Sequence, residues 1–391
     1  MEKSVCFTGA QVLSGDDFDL IPNAALMVEG ERIISIERAG EHPEGVDLSG
    51  KLVVPMFINA HCHLGDTGAK ELGVGLQLEQ LVNPPHGLKH RFLNSLQPDV
   101  HVAMMRHGLG EMLLNGVIAC ADFREQDFPG ALSLRKAAEG LPIRVMILGR
   151  VSADGTSQEI EDAAKRMLEE AEGLGVRDVT CYEPAMLARL RHAYPDKIFA
   201  VHVAESRDAE RESYQRTGIS QTVRALEWGA DLLVHLVHAS EADLDRVARS
   251  ETIAVSCPRS NGILGDGLPR LAAWKRAGIR FALGTDNLML VAPDLLREMD
   301  YASRMTRGLE EDPTAIDHLS ILKAATIMGA RALRLDDQLG SLAPGKEASF
   351  IVFDLSRPNL QYIQDPISAL VHRASRADIE AIYIRGKRFY P

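Results

Sequence analysis

Two histidines separated by one residue, His61 and His63, follow an apolar run that extends from Lys51 to Ala60. A β-strand directs alternate side chains to one face, so both imidazoles should project from the strand's carboxyl end in the same direction, with Cys62 pointing away. Two neutral imidazoles side by side supply half of a first-row metal site. Thirteen histidines in 391 residues will sometimes fall two apart by chance, so the pair alone leaves both readings open.

Three later apolar segments also end in ionisable side chains. The first carries His202 with Glu205 just beyond it, the second carries His235 and His238, and the third ends in Asp286. In a barrel of parallel strands the carboxyl ends are where ligands converge. Burying so many polar groups is costly unless they are paired or bound to a metal, so the pattern predicts a metal-assisted site at these strand ends.

The composition is that of one large enzyme. The chain has 391 residues, of which 46% are hydrophobic and 25% are charged, enough for a substantial core. Its net charge of −12 argues against nucleic-acid or anionic-membrane partners. No secretory leader or membrane-length apolar run is visible, and five scattered cysteines indicate no disulfide framework. We therefore expect a cytoplasmic protein with free thiols and a small-molecule substrate, which could form a homo-oligomer.

Strand-like runs alternate with amphipathic helical segments along the central part of the chain. Eight runs are predicted to end near Asn59, Asp122, Leu148, Cys181, Val203, His238, Cys257 and Asp286. The intervening helices are predicted over 97–115, 157–172, 208–228, 241–249 and 268–277. Eight such units over about 250 residues predict an α/β fold, a (β/α)8 TIM barrel over residues 54–340.

The two ends of the chain do not follow the barrel pattern. Short alternating strands are predicted over 5–8, 25–28, 32–37, 348–354 and 379–385, separated by Gly, Asp and Pro turns. Residues 1–53 and 341–391 are therefore expected to pack together as a small β-sandwich domain formed by both termini.

With these motifs in hand, the chain resembles the amidohydrolase superfamily, most closely its mononuclear branch of cytosine deaminases, S-adenosylhomocysteine deaminases and chlorohydrolases. The resemblance covers nearly the whole chain. It includes the lead into His61, the segment Ser256-Cys-Pro-Arg-Ser-Asn261, the Gly-Thr-Asp ending at Asp286 and the tail segment 339–348.

The resemblance implies a role for each strand-end residue. His61, His63, His202 and Asp286 would bind one divalent metal, for which zinc is expected and iron or manganese are alternatives. Glu205 would be the catalytic proton-transferring acid, and Asp286 would also accept the proton of the attacking water. His235 would orient that water, with His238 as a rival for this role.

Two-metal branches of the superfamily carry a carboxylated lysine after the fourth strand. The corresponding segment, 179–184, contains no lysine, which favours one metal. Three residues depart from the family pattern: Met56, Asn287 and Arg259. None is a proposed ligand, so the departures bear on the shape of the substrate pocket.

Two arginines, Arg124 and Arg150, follow the second and third strands and are predicted at the rim of the site, where they could bind a carboxylate or phosphate. A surface ion pair is the competing interpretation for each. Asp122 is interpreted as a structural strand-end group, and His86 as a solvated residue of a long loop.

The sequence thus predicts a metal-dependent hydrolase of C–N bonds, in particular an aminohydrolase that releases ammonia from a purine, pyrimidine, pterin or triazine. The alternatives with the same site are a cyclic-amide or imidazolone hydrolase and a hydrolytic dechlorinase. A catalytically silent metal-binding scaffold is the non-enzymatic alternative, although pure metal binding needs neither Glu205 nor His235.

Overall fold

A computed structural model describes residues 4–39, 45–83 and 86–390 of the chain. Its strands are β1 (Ser4–Ser14), β2 (Asp19–Glu29), β3 (Arg32–Arg38), β4 (Val46–Asp47), β5 (Lys51–Pro55), β6 (Phe57–His63), β7 (Val117–Arg124), β8 (Arg144–Gly149), β9 (Gly173–Val176), β10 (Ile198–Val203), β11 (Leu232–His235), β12 (Ile253–Ser256), β13 (Phe281–Leu283), β14 (Asp286–Asn287), β15 (Phe350–Asp354), β16 (Ile379–Ile384) and β17 (Lys387–Tyr390).

The helices fill the intervals between the strands. They are α1 (Leu78–Val82), α2 (Leu88–Ser95), α3 (Pro98–Leu114), α4 (Asp127–Ala138), α5 (Ser157–Glu170), α6 (Pro184–Ala193), α7 (Arg207–Thr217), α8 (Gln221–Glu227), α9 (Glu241–Ala248), α10 (Pro258–Leu264), α11 (Leu271–Ala277), α12 (Leu295–Glu310), α13 (His318–Ala324), α14 (Ile327–Ala332) and α15 (Pro366–His372), with 3₁₀ helices at Leu64–Ala69 and Arg376–Asp378. None of the helices in the described ranges is both long and apolar enough to cross a bilayer.

Strands from both ends of the chain form one sheet. Its order is β17-β16-β15-β5-β1-β2-β3, with β4 beside β1. The join is the antiparallel pairing of β15 with β5, where Val352 opposes Val53. Phe7, Phe350 and Tyr383 pack ring against ring beneath it. The predicted strands at both ends are therefore present, and the sandwich arrangement itself remains a prediction.

The second sheet is parallel and has nine strands in the order β13-β12-β11-β10-β9-β8-β7-β6-β14. Its two end strands, β13 and β14, are separated in the chain only by Gly284 and Thr285. The Gly284 amide donates to the Ser256 carbonyl (2.9 Å) and the Thr285 amide to the His61 carbonyl (3.0 Å). The sheet is therefore curled, which is consistent with a TIM-like barrel.

Complete burial explains why the barrel strands read as apolar runs. Every residue of β6 and of β7 is buried, as expected for parallel strands covered on both faces. Several of the helices around the sheet begin at a capping side chain. Thr156, for example, accepts from the Glu159 amide, and the Glu159 carboxylate accepts from the Thr156 amide (2.8 Å), which fixes the start of α5.

Two elements differ from the sequence prediction. The fourth strand does not end near Cys181 but is Gly173–Val176, because two glycines hide its strand character. The helix predicted over 208–228 is wrong as a single helix. It is divided into α7 and α8 at Gly218, whose φ of 78° ends α7 in the left-handed conformation.

A long excursion, residues 64–97, separates β6 from α3 and is called here the cover segment. In its described parts it contains the first 3₁₀ helix, α1 and α2. Ala69 and Leu81 of this segment pack on Met289, which follows β14. The cover segment is thereby held over the carboxyl end of the sheet.

Gly173 of β9 gives a test of how closely β9 packs against the neighbouring strand β10. A Cβ atom at Gly173 would lie 1.9 Å from the Ile198 carbonyl oxygen, whereas one at Gly110 in α3 would meet nothing within 4 Å. Gly173→Ala should lower the free energy of unfolding by about 1–3 kcal/mol or more. Gly110→Ala should leave it unchanged or raise it by about 0.5–1 kcal/mol. Chemical denaturation of both variants checks this, and an unaffected Gly173→Ala variant would contradict the packing.

Candidate metal centre

Six ionisable side chains from four separate strands converge at one end of the parallel sheet. They are His61, His63, His202, Glu205, His235 and Asp286, and they form overlapping triplets whose potential ligand atoms lie within 4.8 Å of one another. Asp286 Oδ1 lies 3.4 Å from His61 Nε2 and 3.3 Å from His63 Nε2. The structure thus brings all four predicted metal ligands together, with Glu205 and His235 beside them.

Backbone carbonyls hold two of the imidazoles in the orientation that metal binding requires. His63 Nδ1 donates to the Phe123 carbonyl (3.2 Å), and His202 Nδ1 donates to the Arg177 carbonyl (2.9 Å). Each contact leaves the Nε2 lone pair facing the cluster. These carbonyls therefore select the tautomer in which Nε2 can bind a metal.

His61 supplies the test of whether the residues fit a metal. It is fully buried, and neither of its ring nitrogens has a hydrogen-bond partner among the described residues. A buried polar atom without a partner is costly, and a bound cation would remove that cost. Three imidazoles and a carboxylate are also a ligand set that suits zinc.

The strand ends adopt unusual backbone conformations at this site. Ala204, His235, Leu236 and Asp286 have φ values of 49°, 78°, 49° and 61°. Non-glycine residues in this region are strained, and such strain concentrates at functional sites. At Asp286 the conformation is accompanied by a hydrogen bond from the Ser260 hydroxyl to Oδ2 (2.6 Å), which leaves Oδ1 facing the imidazoles.

Only one of the two rival histidines faces the cluster. His235 Nε2 lies 3.5 Å from Glu205 Oε1, and its Nδ1 lies 3.1 Å from the Asn261 amide nitrogen. His238 instead contacts the Asp266 carbonyl through Nε2 (2.5 Å) and lines a different cleft. The amide of Asn261 donates to His235 Nδ1, so the His235 ring proton lies on Nε2, towards Glu205.

Burial separates the protonation states of these groups. It lowers the pKa of His63 to about 4, which keeps that imidazole neutral. Burial alone would raise the pKa of Asp286, but its contacts with the imidazoles hold it well below its usual range. Burial and the nearby Asp286 charge raise the pKa of Glu205 to about 8. The cluster thus combines neutral imidazoles, an ionised carboxylate and a protonated acid.

The two predicted rim arginines occupy different places. Arg150 lines the cavity in front of the cluster. The rim prediction for Arg124 is wrong, because its side chain is completely buried and bonded to Glu125 (2.5 Å). Asp122 has the predicted structural role, since it accepts from the Leu64 amide (2.5 Å), and His86 is exposed as expected.

The residues that depart from the family pattern lie at different distances from the site. Asn287 lines the cavity, whereas Met56 is buried in the main core. Arg259 turns away, with its guanidinium on the Ala292 carbonyl (3.1 Å) and on Glu298 (3.4 Å). All five cysteines, which fall in the described ranges, are free, and Cys62 is buried behind the sheet as predicted.

Sequence reasoning missed a group of charged residues next to His63. Glu125 Oε1 lies 2.9 Å from His63 Nδ1 and 2.7 Å from Lys89 Nζ, and Lys89 also lies 3.3 Å from Asp66. Glu125 could have been found from its position at the end of β7. Lys89 gave no signal, because it reaches the site from the cover segment, whose path no periodicity predicts.

The sequence of the chain matches a known protein family. The amidohydrolase family profile matches residues 52–389. The chain belongs to the amidohydrolase family, which confirms the resemblance seen in its motifs.

The relatives of this chain are named for related reactions. A protein of Methanothermobacter thermautotrophicus, provisionally named an aminohydrolase, is 33% identical over 381 residues, which are 94% of this chain and 95% of the relative. The 5'-deoxyadenosine deaminase of the same organism is 26% identical over 411 residues, covering 98% and 92% of the two chains. The crystal structure of a Xanthomonas campestris adenosine deaminase with bound zinc has a TM-score of 0.86 at 21% identity, covering 98% and 92%.

Glu298, which contacts Arg259, should make the stability of the folded chain depend on pH. Burial raises the pKa of Glu298 from 4.5 to about 7. Because the folded chain then binds a proton more tightly than the unfolded chain, this residue lowers stability as the pH rises from 4.5 through 7.

Glu298→Gln should therefore be more stable than the wild type at pH 8, by on the order of 1–3 kcal/mol, and similar to it at pH 5. Denaturation at both pH values measures this difference. The exposed Glu169→Gln substitution in α5 should change neither value. If Glu298→Gln lost the same stability at both pH values, the raised pKa of Glu298 would be refuted.

Proposed function

We propose that this chain is a metal-dependent aminohydrolase that replaces an amino group of a heterocycle by oxygen and releases ammonia. The observation that carries the proposal is Glu205, a carboxylic acid that lies beside the four predicted metal ligands but is not one of them. A scaffold that only binds metal has no use for such an acid. The family and the names of its relatives support hydrolysis of C–N bonds.

We propose His61, His63, His202 and Asp286 as the ligands of one ion, with zinc as the expected metal. Their Nε2 and Oδ1 atoms already face one another. The sequence of β9 and of the segment that follows it, 173–184, contains no lysine that could bridge a second ion. When bound there, a divalent ion would supply the Lewis acidity that makes water a nucleophile near neutral pH.

His235 and Asp286 are proposed to orient and deprotonate the attacking water. The Asn261 amide fixes the His235 ring, so its Nε2–H points towards the cavity and can donate to an oxygen there. The Ser260 hydroxyl donates to Asp286 Oδ2 and so fixes the carboxylate that is proposed to accept the proton of the water. Both side chains are thus held in single orientations before substrate binds, which is what catalytic positioning requires.

Glu205 is proposed to protonate the ring nitrogen next to the attacked carbon. The proton that Asp286 takes from the water then passes to the leaving amino group, and the proton of the added hydroxyl returns to Glu205 as the C–N bond breaks. Its side chain lines the cavity and is 18% exposed, so it can touch substrate. Protonation of the ring nitrogen makes the neighbouring carbon electrophilic, and protonation of the amino group makes ammonia the leaving group.

The remaining parts of the fold assignment are proposals of the same kind. We propose that β6 to β14 close as a (β/α)8 barrel over residues 54–340, with 1–53 and 341–391 as the terminal domain. The hydrogen bonds from Gly284 to β12 and from Thr285 to β6 support closure. Hydrolysis of a cyclic amide remains the second candidate reaction, and it would release no ammonia.

The metal assignment is tested by His202→Ala, with His238→Ala as its matched control three residues beyond His235. We expect wild-type protein to hold one ion per chain by elemental analysis. His202→Ala should lose most of the metal and nearly all activity, because one of four ligands is absent, whereas His238→Ala should keep its metal. Two ions per chain, or full occupancy in His202→Ala, would contradict the assignment.

The role of Glu205 is tested by Glu205→Gln, which keeps size and polarity but cannot transfer a proton. We expect normal metal content and similar substrate affinity, with turnover reduced by ~10²–10⁴-fold. The exposed Glu227→Gln substitution serves as control. Loss of metal in Glu205→Gln would make Glu205 a ligand, and near-normal turnover would remove it from the reaction.

A further inference from the structure

Three cationic side chains line the cavity in front of the cluster. Lys89, Arg150 and Arg177 all line it, together with His63 and His202. Lys89 comes from the cover segment, Arg150 follows β8 and Arg177 follows β9. Three parts of the chain that are distant in sequence thus each bring one positive charge to the same cavity.

Lys89 is buried in an unusual way for a lysine. Only 4% of its side chain is exposed, and its ammonium contacts Glu125 (2.7 Å) and Asp66 (3.3 Å). An ammonium has three donors, so two carboxylate partners leave one donor for the cavity. Burial of a lysine is rare unless the charge is used or paired, and this one is held at the cavity by its two partners.

The guanidinium of Arg150 has fewer side-chain partners than the ammonium of Lys89. Its side chain is 15% exposed, and its nearest carboxylate oxygen among the described residues is Glu125 Oε1, at 3.6 Å. That distance is too long for a hydrogen bond, and the described part of the chain offers its five donors no other side-chain acceptor. The guanidinium is therefore free to bind a group in the cavity.

One carboxylate oxygen serves as the common counter-ion of Lys89 and Arg150. Glu125 Oε1 contacts Lys89, Arg150 and His63 Nδ1, while Oε2 bonds Arg124. Arg177 is paired separately with Asp178 (2.8 Å) and is 38% exposed at the outer edge. Because Glu125 Oε1 lies beyond hydrogen-bond distance of Arg150 and is also the nearest carboxylate oxygen to Lys89, an additional anion in the cavity would gain hydrogen bonds from donors that this oxygen does not satisfy.

We infer that the substrate carries an anionic group, a carboxylate or a phosphate, that binds to Lys89 and Arg150. This inference rests on the proposed aminohydrolase function and narrows its substrate class. Both cations lie within 3.6 Å of an oxygen that is 2.9 Å from His63 Nδ1. The anionic group must therefore be attached to the reacting heterocycle directly or through a short link, and Arg177 would meet it first.

The experiment measures ammonia release from matched pairs of substrates. One set consists of aminopyrimidines and aminopurines with and without a ring carboxylate, and the other of aminated nucleosides with and without a 5'-phosphate. The wild type should prefer the anionic member by about 10- to 100-fold in kcat/KM. The set that shows the larger preference identifies the anion as carboxylate or phosphate.

Single substitutions test which side chains cause the preference for the anionic substrate. Arg150→Met should remove most of it while changing kcat/KM for the neutral member by less than about threefold. Lys89→Met should remove it as well, with a loss of kcat/KM for both members, because Lys89 also pairs with the Glu125 carboxylate beside His63. The control is Lys70→Met in the same cover segment, whose exposed ammonium pairs with Glu111 (2.9 Å). Because Lys89→Met leaves Glu125 and Asp66 with one cation fewer, Arg150→Met provides an independent test that does not disturb the buried pair.

The possible results separate the two proposals. A metal-loaded wild type that releases ammonia from no substrate would refute the proposed function. Release that is as fast from neutral as from anionic members would refute the anion site and leave the aminohydrolase assignment intact. Direct titration with benzoate, compared with benzamide, adds a binding readout, and equal affinity for the two probes would also refute the site.

Discussion

Parallel pairing of β14 with β6 places Asp286 opposite Cys62, the residue between His61 and His63. The pairing places Asp286 level with the two histidines along the strand. Because Cys62 points away from the site, it is the left-handed backbone of Asp286 (φ 61°) that turns the carboxylate towards the imidazoles. Elsewhere in the same sheet, Val203 opposes His235 in the pairing of β10 with β11. Strand register together with the left-handed backbone at Asp286 and His235 is therefore the constraint on which the site depends. Register sets the level of each group along its strand, and the positive φ angles turn these two side chains towards the cluster.

The same constraint concentrates charge where water is scarce. Asp66, Asp122, Arg124 and Glu125 are almost completely buried around the cluster. Buried ion pairs recover their desolvation cost only if the geometry is good, and removal of one partner is strongly destabilising. The network is therefore weak evidence for stability. Its effect is to hold His63 and the cover segment in fixed positions beside the candidate metal site.

The sequence was sufficient for the features that depend on local pattern. Strand-end residues at His61, His202, His235 and Asp286 could be recognised because buried parallel strands are apolar until they reach the site. The β9 strand escaped recognition because Gly173 and Gly175 are selected by contacts with the Ile198 and Leu148 carbonyls, which are distant in sequence.

The side of the site that lies outside the strands could not be predicted. Lys89 reaches it through the cover segment, which has short helices and no repeating pattern. Arg124 and Arg150 both follow strands in similar contexts, yet Arg124 is buried and Arg150 faces the cavity. Their different orientations are decided by the positions of Asp122 and Glu125, which depend on tertiary packing and not on local sequence.

The terminal sheet has a consequence for the order in which the chain can fold during synthesis. Strand β5 leads directly into β6 through Met56, but its neighbour β15 lies about 300 residues later, a contact that is slow to form. On a ribosome, the strand that anchors the first two histidines would remain without that neighbour until nearly the whole sequence had emerged. Nascent chains would therefore present an unpaired, apolar β5 edge, the kind of surface that chaperones bind and that aggregates when they are absent.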